Sequence, residues 1–532
     1  MKKLMTSNEA VAQGSIESGV AFVSGYPGTP CTEIVTVLQQ AKSVKCEWST
    51  NEKVALEVAI GTSLAGYRSL VVMKTLGLNV AADAFTQLAG TPINGGIVIV
   101  VADDIGRIAG DDYQDCRSYG IMSSVPVVEP SNSQEAKDFV AVAFQMSEAY
   151  MTPVIFRLNS ILCKSKTVVS FEAFIAEKPF RKLSHKSYQK TIGNIVKFGF
   201  DDCALDKLKD YWHDFNDEWQ KLKLYADETA LNKIEKGKTN MGIIATGIAY
   251  YYAKEIFPDA SFLKLGMVYP LAEKRIRQFI KTHQDVYLLE DGHPLIEKEI
   301  KSMGLKIIGE DLFPRFPEML YFTPDIIENK FLKKTALVKK RDVPIRLPTN
   351  CKGCPHHAVN EIIKKHDIYT ASGIGCGGLG ALPHVGIIDV VKCMGSSFGI
   401  AHGYNKANPA HSKSKKMLAI MGDGEFWHTG INNLINMVHN ESATTVVIED
   451  NMTIAMTGGQ PTVAVKTNDA LSSIESVCRG IGVRNVRVID SKNIEVLEKT
   501  ILDAMNMEIL SVIISRHPCV IFNQNKKMEA IK

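Results

Sequence analysis

Asp423 and Asn451 stand in the segment GDGEFWHTGINNLINMVHNESATTVVIEDNMTIAMTGGQ (residues 422–460). A carboxylate, an amide oxygen and a backbone oxygen near Thr453 are hard donors, the set an octahedral magnesium ion takes together with two phosphate oxygens. Gly422 and Gly424 lack a Cβ, which lets a diphosphate approach the backbone closely. The elements that must position them can be read on either side. The runs MLAIM (417–421) and TTVVI (444–448) predict buried parallel strands. Between them Ile431, Leu434, Ile435 and Val438 recur at helical spacing. A right-handed strand, helix, strand crossover brings both strand ends to one sheet edge, with Asp423 and Asn451 side by side. A lone GDG reads as a glycine turn; the spaced Asn451 and the TGGQ of residues 457–460 argue for the metal site.

The whole chain has 532 residues, too many for one core, so several domains are expected. With 45% hydrophobic and 22% charged residues it reads as soluble and globular. A net charge of +3 gives no case for nucleic acid or a membrane surface as partner. Ser7, Asn8, Glu9 and Gln13 interrupt any N-terminal apolar stretch, and no later run suits a bilayer span, so a cytoplasmic protein is expected. The 11 cysteines are odd in number and scattered, which argues for thiols or metal ligands over a disulfide framework.

Helical stretches alternate with β-rich runs at residues 69–73, 96–101 and 153–156, predicting a parallel α/β domain over residues 1–170. Residues 171–238 change character, with KLKDYWHDFNDEWQKLKLY (207–225) reading as a helical linker packed at a domain boundary. Strands near residues 241–246 and 285–289 mark a second α/β domain over 239–332. Pro344, Pro348 and the basic residues 339–341 mark a connection, and the third domain, 333–532, carries the Asp423 segment.

Several long motifs in the same order then give a resemblance: SGYPGTPCTEI (24–34), EWSTNEKVALEVAIG (47–61), KTLGLNVAADAF (74–85), CKGCPHHAV (351–359), CMGSSFGIAHG (393–403) and the Asp423 segment. Together they resemble the alpha subunit of indolepyruvate ferredoxin oxidoreductase, within the thiamine diphosphate-dependent 2-oxoacid oxidoreductases. The resemblance implies an α/β thiamine diphosphate-binding fold: a parallel-sheet pyrimidine-binding domain, a middle transketolase C-terminal-like domain, and a parallel-sheet diphosphate and magnesium domain, with the cofactor bridging first and last. Such enzymes need a carboxyl group hydrogen-bonded to the pyrimidine ring, so that its amino group takes the proton from the thiazolium carbon. That carbon then attacks the 2-oxo carbon and the cofactor holds the electrons left when carbon dioxide departs. Glu52, on a predicted helix ahead of Gly61, is the candidate, with Glu47 and Glu57 as competitors and a solvated helix Glu as the bland reading. Thr29, in the loop resembling the family's substrate-side loop, is a candidate to hydrogen-bond the reacting oxygen; a proline-set turn is its alternative. His428 is in reach of diphosphate or substrate, or is a packing residue. His356 and His357 are expected to face solvent by default. A His often stands in the family where this chain has Thr75.

Cys351, Cys354, Cys376 (in SGIGCGG) and Cys519 (in HPCVIFN) resemble cluster-ligand positions of the family's catalytic beta subunits. Four thiolates suit a [4Fe-4S] cluster, tetrahedral zinc, or simple burial as thiols. The chain stops where the family's alpha subunit continues into a ferredoxin-like domain. The resemblance implies a 2-oxoacid substrate, aryl or branched, oxidised to an acyl-CoA with CoA and ferredoxin, a smaller beta- or gamma-type partner subunit, and a homodimer or heterotetramer. A non-oxidative decarboxylase or carboligase on the same scaffold is the alternative, and a catalytically silent binding subunit the third. Glu52, Asp423 and Asn451 all being present argues against the last.

Overall fold

A computed structural model describes residues 1–91, 93–105, 114–171, 202–310, 312, 322–331, 347–407, 416–463 and 473–521. The expected runs do form strands, because β-branched residues fill both faces of a pleated sheet. In the N-terminal unit, Met1–Lys340, these are β1 (Lys2–Thr6), β2 (Phe22–Gly25), β3 (Lys45–Trp48), β4 (Ser69–Lys74), β5 (Ile97–Asp103), β6 (Val127–Val128), β7 (Val154–Asn159) and β8 (Lys166–Ser170). They are followed by β9 (Lys233–Glu235), β10 (Met241–Thr246), β11 (Ser261–Leu265), β12 (Met267–Tyr269) and β13 (Asp285–Leu289).

The main sheet runs β12-β6-β7-β5-β4-β2-β3, parallel except at the β12–β6 pair, and a second sheet runs β13-β10-β11-β9. Successive residues of β4 bury to opposite faces: Leu70 and Val72 join one core, Val71 and Met73 the other. Each such side chain contributes roughly 1.5–3 kcal/mol of burial. The second of these cores continues into the other sheet through Ile244, Leu263 and Leu288, so both sheets share apolar packing within this unit. The helix Asp202–Glu228 supplies the Trp-bearing stretch; its Leu222 and Ala226 are buried in the first core, and Trp219 lies 5.4 Å from the Tyr269 ring.

The C-terminal unit, Arg341–Lys532, holds β14 (Thr370–Ser372), β15 (Val390–Val391), β16 (Leu418–Gly422), β17 (Thr445–Asp450), β18 (Asn485–Asp490) and β19 (Ser511–Arg516). They form an all-parallel sheet in the order β15-β14-β16-β17-β19-β18. Met421, Val446 and Ile448 bury to one face, Ile420 and Val447 to the other. The helix between β16 and β17, Ile431–His439, departs from the expected phase: Leu434 and Met437 are fully buried, whereas Ile435 is 49% exposed. A single π turn, Phe426–Gly430, precedes it. Among the described residues no helix is long and apolar enough to cross a membrane.

Candidate active site

At the carboxyl ends of β2, β3 and β4, neighbours in the N-terminal sheet, three sequence-derived positions gather. Carboxyl ends of parallel strands are where open α/β sheets bind ligands. Thr29 lies half-buried in the loop after β2, where the Gly28 amide donates to Thr32 Oγ1 at 3.0 Å and the Asn8 side chain donates to Pro30 O at 2.8 Å. Glu52 opens the helix Glu52–Leu64, capped by Asn51 Oδ1 accepting from the Val54 amide at 2.9 Å. Ser24 of β2 donates to Ala55 O at 2.7 Å and fixes that helix to the sheet. Of the three competing carboxylates, Glu52 is buried, Glu57 is ion-paired with Lys53 at the surface, and Glu47 accepts from Ser49 Oγ at 3.2 Å. Gly77 is a glycine for Glu52's sake: a Cβ there would fall 2.5 Å from Glu52 Cγ.

Thr75, where the family often has His, is buried and donates its hydroxyl to Asp103 Oδ1 and, at 3.1 Å, to Ala102 O. Asp103 in turn accepts from Arg157 Nε at 2.6 Å, and Arg157 pairs with Glu129 at 2.8 Å. Burial pushes the Asp103 carboxyl upward, opposed chiefly by the Arg157 charge. Arg117 joins through Asp115 at 2.6 Å and Glu290 at 2.6 Å.

In the C-terminal unit, β16 and β17 pair with Gly422 opposite Glu449, so Asp423 and Asn451 leave the same sheet edge close together. Asp423 is 2% exposed; its Oδ1 accepts from the Gly424 amide at 2.9 Å, while its Oδ2 has no hydrogen-bond partner. Burial, then the Asp450 charge, pushes this carboxyl well above its ordinary range. An orphaned buried carboxylate oxygen is the cost a cation removes, so the donor set fits magnesium. Asn451 Oδ1 accepts from the Thr453 amide at 3.2 Å, and Thr453 Oγ1 donates to Gln460 O at 2.9 Å. Met452 between them has φ +63°, a conformation a long side chain rarely adopts without support. Gly422 is not required by the unit's own packing, since a Cβ there would meet only Glu425 Oε2 at 3.9 Å. A bare backbone at that point suits a group brought from outside the chain. His428 is buried in the π turn, with Nδ1 3.3 Å from Thr429 Oγ1.

The four cysteines with ligand-like contexts meet in the same unit. The Cys354 amide donates to Cys351 O at 3.0 Å, and the Cys519 amide donates to Asn451 O at 3.1 Å, which ties that thiol's loop to the Asp423 edge. Burial pushes the Cys376 thiol up to about 12, with further contributions from Cys354, Glu449, Cys519 and Cys351, so these groups lie within one another's electrostatic reach. Among the described residues, no three His, Cys, Asp or Glu side chains form a ready metal-binding group. The thiols therefore form no closed ligand shell among the described residues. His356, expected at the surface, is 2% exposed, with Nδ1 3.2 Å from Cys354 Sγ; His357 is exposed. The cause is helical geometry: His356 opens the helix His356–His366 on the face that buries Val359, Asn360 and Ile363.

Glu425, Glu449 and Asp450 escaped the sequence reading. Glu449 and Asp450 end the apolar run of β17, and carboxylates in such a place were the available signal. Both Glu449 oxygens lack hydrogen-bond partners, and burial pushes this carboxyl up to about 8.

The family described as "Pyruvate flavodoxin/ferredoxin oxidoreductase, thiamine diP-bdg" matches residues 13–197, and "Thiamine pyrophosphate enzyme, C-terminal TPP binding domain" matches residues 375–515. Fold and matches together define a thiamine diphosphate-dependent enzyme. Indolepyruvate oxidoreductase subunit IorA of Archaeoglobus fulgidus is 33% identical, covering 98% of this chain and 87% of the relative. The IorA subunit of Pyrococcus horikoshii is also 33% identical, over 98% and 86%. Ketoisovalerate oxidoreductase subunit VorB of Methanothermobacter marburgensis is 23% identical over 56% of this chain and 86% of its own. The chain belongs to the family of 2-oxoacid oxidoreductases that contains the IorA subunits of indolepyruvate oxidoreductase. A solved structure, 2-oxoglutarate:ferredoxin oxidoreductase from Magnetococcus marinus with 2-oxoglutarate, coenzyme A and succinyl-CoA bound, shares the fold. Its TM-score is 0.50 at 18% identity, covering 63% of this chain and 65% of that one.

Proposed function

We propose that this chain decarboxylates a 2-oxoacid with an aryl or branched side chain, of the indolepyruvate class, and oxidises the product to an acyl-CoA with ferredoxin as electron acceptor. The observation that carries the site reading is the orphaned, buried Asp423 Oδ2 beside Asn451 at one sheet edge. The substrate class is supported by the printed names of the IorA relatives. Thiamine diphosphate, when bound, supplies the carbon nucleophile and the electron sink. Asp423, Asn451 and the Thr453 backbone oxygen hold magnesium, and Gly422 and Gly424 admit the diphosphate. Glu52 hydrogen-bonds the pyrimidine and sets its protonation; its burial, against the exposed Glu57, supports that role. Thr29 orients the reacting oxygen, and His428 lies on the diphosphate side.

The roles of the domains follow: pyrimidine binding in 1–170, a helical linker in 171–238, a transketolase C-terminal-like domain in 239–332 and diphosphate binding in 333–532. Cys351, Cys354, Cys376 and Cys519 would hold a [4Fe-4S] cluster that accepts single electrons, a reading supported by the CxxC spacing and by the sequence contexts of Cys376 and Cys519. We place the enzyme in the cytoplasm with a smaller partner subunit, as a homodimer or heterotetramer. Anaerobic turnover of indolepyruvate, phenylpyruvate and branched 2-oxoacids, with and without CoA and an electron acceptor, tests the proposal. Acyl-CoA formation that depends on CoA and acceptor is expected. Aldehyde as the sole product, with neither additive required, would instead establish the non-oxidative alternative.

A further inference from the structure

Glu425 follows the Asp423 loop and is 3% exposed, yet no step of the proposed chemistry uses it. Its Oε2 accepts from the Gly422 amide at 3.1 Å, and its Oε1 accepts from the Ile374 amide at 2.6 Å. The Gly375 and Gly395 amides add to the same carboxylate, and these backbone donors oppose the upward push of burial. The donors come from three separate loops. Gly422 opens the loop of Asp423, Ile374 and Gly375 lead directly into Cys376, and Gly395 precedes the helix Ser396–Ala407. Packing is equally tight: a Cβ at Gly373 would stand 1.9 Å from Glu425 Oε1, and one at Gly375 would stand 3.1 Å from Oε2. The carboxylate thus occupies a pocket of converging amides shaped for an anion, filled by the chain itself.

We infer that Glu425 is a positioning residue that locks the Cys376 loop onto the Asp423 loop, so that the diphosphate end of the site and the thiol site move as one element. That the Asp423 loop is the magnesium and diphosphate loop rests on the proposed function; the lock itself does not. Glutamine would keep one acceptor oxygen and turn an NH2 group toward amide donors, so Glu425→Gln breaks half of the lock without changing size. Gly373→Ala displaces the carboxylate without removing its charge. Asp at 425 keeps the charge on a shorter arm.

The test is alkylation of Cys376 by iodoacetamide in the full chain with no cluster assembled, followed by peptide mass spectrometry, with Cys46, on strand β3 of the N-terminal unit, as internal reference. Losing a charge-assisted hydrogen bond predicts a rise in the Cys376 rate of about tenfold in Glu425→Gln and in Gly373→Ala, with Cys46 unchanged and Glu425→Asp partly restored. Magnesium thiamine diphosphate should slow Cys376 alkylation in the parent chain and lose that effect in Glu425→Gln. An unchanged Cys376 rate in both variants would overturn the lock, as would cofactor protection that persists in Glu425→Gln, which would mean direct shielding. Calorimetry of magnesium thiamine diphosphate on the parent chain is run separately. Absent binding there removes the proposed function, while the cofactor-free alkylation rates still decide the lock.

Discussion

Among the carboxylates near the N-terminal sheet edge, Glu52 and Glu57 share one helix on different faces, and one is buried while the other is ion-paired in solvent. Glu52→Gln is expected to lower kcat by about 10²–10⁴-fold, the range a positioned proton-transfer group contributes, and to slow deuterium exchange at the thiazolium carbon alike. Glu57→Gln should leave both unchanged. Comparable exchange rates in the two variants would transfer the role elsewhere. At the other centre, Asp423→Ala is expected to abolish the magnesium dependence of thiamine diphosphate binding, and a chelator should release the cofactor from the parent chain. Calorimetric titration with and without magnesium checks both, because a neutral buried site retains no charge to pair with the ion.

The short helix Thr75–Val80 joins two features that sequence shows separately. Its first residue donates to Asp103, and its Gly77 abuts Glu52. Gly77→Ala is expected to cost about 1–3 kcal/mol through overpacking. It should also reduce thiazolium deuterium exchange by shifting the Glu52 carboxylate. Thermal unfolding and the exchange rate measured on the same preparation check the pair of effects. The Arg157 network lies one step further back. Arg157→Leu leaves Asp103 and Glu129 as uncompensated buried charges and is expected to cost about 3–5 kcal/mol, read as a lowered denaturant midpoint. The helix Ile431–His439 shows the limit of periodicity as a guide. Its existence was legible from apolar spacing, but Ile435 lies outside and Met437 inside.

For the chain as a whole, the proposed route of the electrons depends on what the four cysteines hold. The anaerobically purified chain is expected to contain about four irons and to show the broad visible absorption of a [4Fe-4S] centre. Stoichiometric zinc without iron would replace the cluster by a tetrahedral structural site, and the absence of both would leave buried thiols. The CxxC of Cys351 and Cys354 was legible by spacing alone. Cys376 and Cys519 lie far apart in sequence, and folding puts them after β14 and β19, at the carboxyl ends of strands of one parallel sheet.

Residue type and spacing by themselves determined the parallel α/β architecture, the strand runs, and the placing of Asp423 and Asn451 at one sheet edge. Strands buried on both faces need continuous β-branched runs, and a crossover of fixed hand leaves little choice about which strand ends meet. Tertiary structure decided what depends on burial and on contacts between distant segments. It buried Glu52 while leaving Glu57 in solvent, moved His356 inside, made Thr75 a partner of Asp103, and set Glu425 among amides from three loops. Those properties belong to the electrostatic environment of a side chain, which is fixed by the whole surrounding fold and leaves no periodic trace in the sequence.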